Sequence, residues 1–234
     1  MTMDADDPAD LRIGGYQPFS TVDFPDALCA VVFCQGCALR CDYCHNRELL
    51  DARRPGTIGW AAIGEHLESR RGLIDAVVFS GGEPLLQRAL APAARAVKAM
   101  GMKVGLHTAG ASPARLASVL PCLDWVGFDL KAPFNAYAPL TGVDAGLKTK
   151  EALDILSRAG VPFEARTTVW PAFHTIDSLV EMAQVAHAAG ASRYALQQAR
   201  DPATRRPLAC DVFFDAAQAD AVRRAHPNVI LRAA

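Results

Sequence analysis

Three cysteines packed into one short segment carry the most specific chemistry in this chain. Cys37-Ala38-Leu39-Arg40-Cys41-Asp42-Tyr43-Cys44 places thiols at a CxxxCxxC spacing, directly after the apolar run Leu28 to Phe33. Three thiolates can hold three irons of a cubane iron–sulfur cluster, whereas an electron carrier normally supplies four. The fourth iron is then open to a substrate, which inner-sphere chemistry needs and electron transfer alone does not. Cys34 lies three residues before Cys37, so four sulfurs around zinc form the competing reading. Structural zinc sites usually join two cysteine pairs across a longer loop, and an aromatic CxDYC segment is untypical of them. A disulfide framework is less favoured still, because no signal peptide is visible and the other cysteines are scattered. Cys34 reads as a small residue packed at a strand end, and Cys29, Cys122 and Cys210 as buried structural thiols.

Further polar groups stand at the ends of apolar runs. Ser80-Gly81-Gly82-Glu83-Pro84 follows one such run, and its two glycines let backbone N–H and C=O groups approach a ligand closely. A plain strand-to-helix turn would look similar, but its place one unit after the cysteine loop makes it informative. His107-Thr108 ends the next run, and His107 is either a packed residue or a direct participant. Asp129 and Lys131 share one face of a strand end by period-two alternation. They form a rim ion pair, or else Asp129 takes a ribose hydroxyl and Lys131 a carboxylate. Arg166 interrupts an apolar strand and needs an anion there. A ligand carboxylate suits its planar fork, with a salt bridge to Glu164 as the alternative. Gln198 is a weaker candidate for the edge of a heterocycle.

The elements that must position these residues alternate along the chain. Strands are expected at Ala30–Phe33, Ala76–Phe79, Lys103–His107, Trp125–Leu130, Glu164–Val169, Tyr194–Gln197 and Val229–Leu231. Helices are expected near Trp60–Arg70, Leu85–Met100 with a kink or break at Pro92, Pro113–Val119, Lys150–Ala159, Ile176–Ala188 and Phe214–Ala225. Gly101, Gly160 and Gly190 follow helices where a left-handed residue is wanted. Alternation of this kind predicts parallel strands with right-handed crossovers, hence an α/β fold. Six units are too few for a closed eight-stranded barrel but enough for a partial (β/α)6 barrel of parallel strands, with its chemistry at the C-terminal strand ends.

With 234 residues, 51% of them hydrophobic, the chain suits a single domain over 11–234, preceded by a frayed acidic segment 1–10. A net charge of −1 argues against nucleic-acid binding by bulk electrostatics. No apolar stretch approaches the ~20 residues of a membrane span. Seven cysteines without an export signal point to a reducing cytoplasm.

Together these residues resemble the radical S-adenosylmethionine (SAM) superfamily, over nearly the whole chain after about residue 11. More narrowly, Ser20-Thr21-Val22-Asp23-Phe24-Pro25, the segment Phe33 to Asn46, Phe79 to Gln87 and Phe128-Asp129-Leu130-Lys131-Ala132-Pro133 are similar to the glycyl-radical-enzyme activating proteins. Among these they look most like those of anaerobic ribonucleoside-triphosphate reductase. The resemblance implies that Cys37, Cys41 and Cys44 ligate one 4Fe–4S cluster whose fourth iron is chelated by SAM. Gly81, Gly82 and Glu83 would receive the SAM amino group, Lys131 and Arg166 its carboxylate, and Asp129 its ribose, with Tyr43 and His45 against the adenine. Reductive cleavage would yield methionine and a 5′-deoxyadenosyl radical that takes hydrogen from a glycine of a partner enzyme. A flavodoxin or ferredoxin would supply the electron. His107, Cys34 and Ala109 depart from the group's usual residues, and His107 stands where an aspartate can hold a monovalent cation. A radical SAM enzyme acting on a small molecule, such as a 7-carboxy-7-deazaguanine synthase, is the second reading. A non-catalytic iron–sulfur or zinc protein is the third.

Overall fold

Apolar runs too continuous for a half-exposed strand need cover on both faces, and the sheet supplies it. The computed structural model describes residues 7–233. Its eight strands lie side by side in chain order: β1 (Ile13–Ser20), β2 (Cys29–Cys34), β3 (Ala76–Gly81), β4 (Lys103–Thr108), β5 (Trp125–Asp129), β6 (Phe163–Val169), β7 (Arg193–Gln198) and β8 (Val229–Arg232). From β2 to β8 every neighbouring pair is parallel. The crossovers contain α1 (Trp60–Ser69), α2 (Leu90–Ala99), α3 (Pro113–Val119), α4 (Tyr137–Thr141), α5 (Gly146–Arg158), α6 (Ile176–Ala188) and α7 (Ala216–Ala225). This is the expected partial (β/α)6 barrel, with β8 as a further strand.

All seven expected strands form, and β1 is an addition. It pairs antiparallel with β2 through a register broken at Ile13/Gly15 and Gln17/Ser20. Its Gly14, Gly15 and Pro18 mask any strand pattern, and a sheet edge is where such residues are tolerated. The long helix expected over Leu85–Met100 divides into a 3-10 turn, Pro84–Leu86, and α2. Pro92 therefore sits in the first turn of α2, where its missing N–H costs nothing, and the break precedes it. Helix α5 starts four residues before the expected Lys150, and α7 starts at Ala216 because Asp215 caps the Ala217 and Gln218 N–H groups. Gly101, Gly160 and Gly190 do adopt positive φ after their helices. Of the segment expected to be frayed, residues 1–6 lie outside the described residues, and Pro8–Asp10 forms a 3-10 turn capped by Asp7.

Two apolar layers fix the curvature of the sheet. On the helix side, Phe79, Leu106, Phe128 and Leu196 pack with Leu67, Leu116, Leu153 and Met182. On the inner side, Val31, Val78 and Trp125 pack with Phe24 from the β1–β2 connection. The Phe24 and Trp125 rings stand 5.7 Å apart, and a β-carbon on Gly105 would reach 3.0 Å from Phe24 Cδ2. Phe24 thus closes the floor of the barrel, leaving the opposite mouth for chemistry. Among the described residues no helix is long and apolar enough to cross a membrane.

Candidate active site

The cysteine loop leaves β2 and is held from three sides by backbone and amide hydrogen bonds. Gly36 N–H donates to Leu49 O at 2.7 Å and Arg40 N–H to Thr141 O at 2.7 Å. The Gln35 side-chain amide donates to Glu48 O and Asp51 O, each at 3.0 Å. The Arg40 guanidinium turns back onto Cys37 O and Leu39 O, both at 2.8 Å. A loop tied this way presents its thiols without itself being a regular element.

The Gly81-Gly82-Glu83 turn is stitched to the same loop. Gly82 N–H donates to Cys34 O at 3.0 Å and Glu83 N–H to Gly36 O at 2.8 Å. Gly81 has φ +114°, and a β-carbon on it would collide with the Cys34 backbone; one on Gly82 would collide with Gly36 O. Only glycine fits at either position. Glu83 is 1% exposed and accepts from Leu85 N–H at 3.0 Å, Thr108 O–H at 2.6 Å and Ala109 N–H at 2.8 Å. Burial pushes its carboxyl upward, against these three hydrogen bonds. The side chain that the sequence offered as a ligand group is thus a clamp between the ends of β3 and β4.

One cavity at the C-terminal strand ends collects Cys37, Cys41, Cys44, Tyr43, His45, Gly81, Gly82, Glu83, Asp129, Lys131 and Arg166. His107, Thr108 and Thr168 line it as well. Gln198 does not reach it; its amide donates to Leu208 O at 2.8 Å. His45 meets the cavity while its Nε2 stands 3.1 Å from Arg200 O.

Asp129 organises the charges. It lies opposite Arg166 in the β5–β6 register, and its Oδ1 accepts from Arg166 Nε at 2.9 Å and Nη2 at 2.7 Å. Its Oδ2 accepts from Lys131 Nζ at 3.2 Å. The barrel partner of Arg166 is therefore Asp129 and not Glu164, which is taken by two bonds from Arg232 at 2.7 and 2.8 Å. Room for the guanidinium comes from Gly127, where a β-carbon would lie 2.8 Å from Arg166 Cζ. A glycine inside an apolar strand is the signal that could have revealed this approach. One anion faces two cations, so the trio leaves a net positive charge on the wall for an incoming carboxylate.

Burial works against the Asp129 carboxylate, but Arg166 and then Lys131 outweigh it and hold the group down at about 2. A depressed acid stabilises the fold above its unfolded value and loses that contribution as pH falls through the folded one. The expected acid limb, worth on the order of 2 kcal/mol, runs from about pH 4 down to about pH 2. Asp129→Asn should remove this limb from urea denaturation measured against pH. It should also lower neutral-pH stability by roughly 3 kcal/mol, because Arg166 is left buried without its anion.

His107 donates from Nε2 to Asp23 O at 3.0 Å and packs edge-on to Trp125. Burial, followed by the neighbouring Arg166, pushes its pKa well below the usual histidine value. The ring is neutral, so its Nδ1 is an acceptor only. Lys131 Nζ stands 5.7 Å from the Tyr43 ring centroid. The Tyr43 hydroxyl is buried with no hydrogen-bond partner among the described residues.

Whether a cluster suits these residues follows from the thiols. Among the described residues, no three His, Cys, Asp or Glu side chains gather as ligands of a single ion. Four tetrahedral Zn–S bonds of ~2.3 Å would bring sulfurs within about 3.8 Å of one another. A cubane instead asks each thiolate to reach its own iron, which thiols spread around one cavity can do. Cys34, the fourth sulfur of the zinc reading, is fully buried in the helix-side core and absent from the cavity wall. Burial pushes Cys37 up to about 11 and Cys41 upward as well. Coordination to cationic iron reverses that preference, so the donor set fits the cluster.

Comparison with known proteins gives this arrangement its family. Residues 31–186 match the model of the radical SAM superfamily. A Methanocaldococcus jannaschii protein, provisionally named a glycyl-radical enzyme activating enzyme, is 30% identical over 195 residues, 80% of this chain and 79% of its own. The 7-carboxy-7-deazaguanine synthase of Thermococcus kodakarensis is 28% identical over 154 residues, 57% of this chain and 60% of that one. A radical SAM methyltransferase from Sphaerobacter thermophilus shares the fold at a TM-score of 0.67 and 15% identity, over 92% of this chain and 68% of that one. This chain thus belongs to the radical SAM superfamily, whose cofactors are a 4Fe–4S cluster and SAM.

Proposed function

We propose that this protein cleaves SAM reductively and installs a glycyl radical on a partner enzyme, with anaerobic ribonucleotide reductase as the partner. The observation that carries the SAM reading is the meeting, in one cavity, of three thiols with the Asp129–Arg166–Lys131 trio. The activating role is supported by the archaeal relative, whose similarity spans most of both chains, where that of the deazaguanine synthase spans little more than half. Cys37, Cys41 and Cys44 would hold the cluster, which would supply an electron for the reductive cleavage of SAM. Backbone groups around Gly81 and Gly82 orient the SAM amino group, and Glu83 fixes that backbone. Lys131 and Arg166 neutralise its carboxylate, Asp129 holds the ribose, and Tyr43 and His45 lie against the adenine. A flavodoxin or ferredoxin in the cytoplasm is the electron donor, and neither nucleic acid nor membrane takes part.

The test is electron paramagnetic resonance on the reduced protein mixed with SAM and anaerobic ribonucleotide reductase. The expected result is a glycyl-radical doublet on the reductase. No doublet with any glycyl radical enzyme, together with turnover of a small-molecule substrate, would transfer the assignment to the second reading.

A further inference from the structure

Strand β5 ends at Asp129, so two residues later the Lys131 backbone has left the ladder that would pair it. Its N–H and C=O stand among buried groups and need partners from elsewhere. Two side chains provide them. The Tyr137 hydroxyl accepts from Lys131 N–H at 3.1 Å, and His174 Nε2 donates to Lys131 O at 2.9 Å. His174 Nδ1 accepts from Trp170 N–H at 2.9 Å, which fixes the neutral tautomer with its proton on Nε2. Tyr137 is fully buried and His174 is 7% exposed, so neither hydrogen bond competes with bulk water.

The clamp also reaches the cysteine loop. Tyr137 begins α4, whose carbonyls Thr141 O and Leu140 O accept from Arg40 N–H at 2.7 Å and Asp42 N–H at 3.4 Å. One short helix therefore binds both the backbone under Lys131 and the loop bearing Cys37, Cys41 and Cys44. Lys131 has four rotatable side-chain bonds, and its ammonium can be placed only if its main chain is held.

We propose that Tyr137 and His174 are positioning residues that grip the Lys131 backbone from both sides and so set its ammonium for the SAM carboxylate. This rests on the SAM reading given above. Neither side chain needs to touch SAM; each acts through Lys131.

Equilibrium binding of SAM to the reconstituted protein, with iron content measured in parallel, tests it. Tyr137→Phe and His174→Leu are each expected to weaken SAM binding about five- to tenfold, the scale of one buried hydrogen bond. Iron content should stay unchanged, and His174→Gln, which keeps a donor, should recover most of the loss. In a Lys131→Ala background neither substitution should weaken binding further. The clamp is overturned if binding is unchanged in the parent background, or if the same fold-loss persists without the lysine, which would mark a general structural role. Should Tyr137→Phe fail to fold, the comparison of the parent protein with His174→Gln and His174→Leu still decides. Unchanged SAM affinity in Lys131→Ala alone would return Lys131 to a plain ion pair with Asp129 and overturn the clamp with it, whereas failure of the clamp variants alone leaves the Lys131 role standing.

Discussion

Cys41→Ala is expected to strip the protein of its cluster and to reduce SAM cleavage by more than about a hundredfold. Even partners that only support a metal ligand cost 10–100-fold when removed, and a ligand itself must cost more. Cys41 has no substitute nearby: Cys34 is fully buried at the end of β2, in the helix-side core, and does not line the cavity. Cys34→Ala therefore serves as the contrast, with cluster content unchanged. Iron and sulfide analysis of both variants after anaerobic reconstitution separates the possibilities. Loss of metal from Cys34→Ala and its retention in Cys41→Ala would exchange the roles given to the two residues.

Gly81→Ala is expected to cost more than about 3 kcal/mol of folding stability, a large share of the roughly 5–15 kcal/mol that a domain possesses. A positive φ at a residue with a β-carbon costs on the order of 1–2 kcal/mol. The larger part is steric, because the added carbon meets the backbone of Cys34, which cannot retreat without opening the β2–β3 ladder. Gly72→Ala is the control: Gly72 has φ +79°, yet nothing lies within 4 Å of its would-be β-carbon. It should cost about 1 kcal/mol, from the backbone alone. Urea denaturation of the two variants reads the difference, and equal costs would show that the close approach at Gly81 contributes nothing.

The parts of the fold that were legible in the sequence depend on patterns local to the chain. Apolar runs such as Ala76–Phe79 announced buried parallel strands, and the spacing of Cys37, Cys41 and Cys44 survives any choice of tertiary arrangement. Placing Asp129 at a C-terminal strand end and Arg166 inside the next strand followed from the β-α order, and the register then set them side by side. What stayed hidden depends on partners distant in sequence. The sequence offered Glu83 for the SAM amino group and gave no sign of its clamp, because two of its donors, Thr108 and Ala109, lie one β-α unit away. The Tyr137 and His174 grip on Lys131 joins residues 6 and 43 positions apart with no motif to mark them. Helix α4 is too short to display a period, and β1 carries glycine and proline where a strand pattern would need side chains. Gln198 was drawn toward the site by its place at the end of β7, but the loop carrying Leu208 claims it first.

Product analysis offers the most direct examination of the chemistry assigned to this cavity. The anaerobically reconstituted, reduced protein is incubated with SAM alone, and methionine and 5′-deoxyadenosine are quantified by chromatography. Equal amounts of the two are expected, rising with time and disappearing in Lys131→Ala at limiting SAM. A protein that holds a full four-iron cluster, accepts an electron and still leaves SAM intact would contradict the assignment.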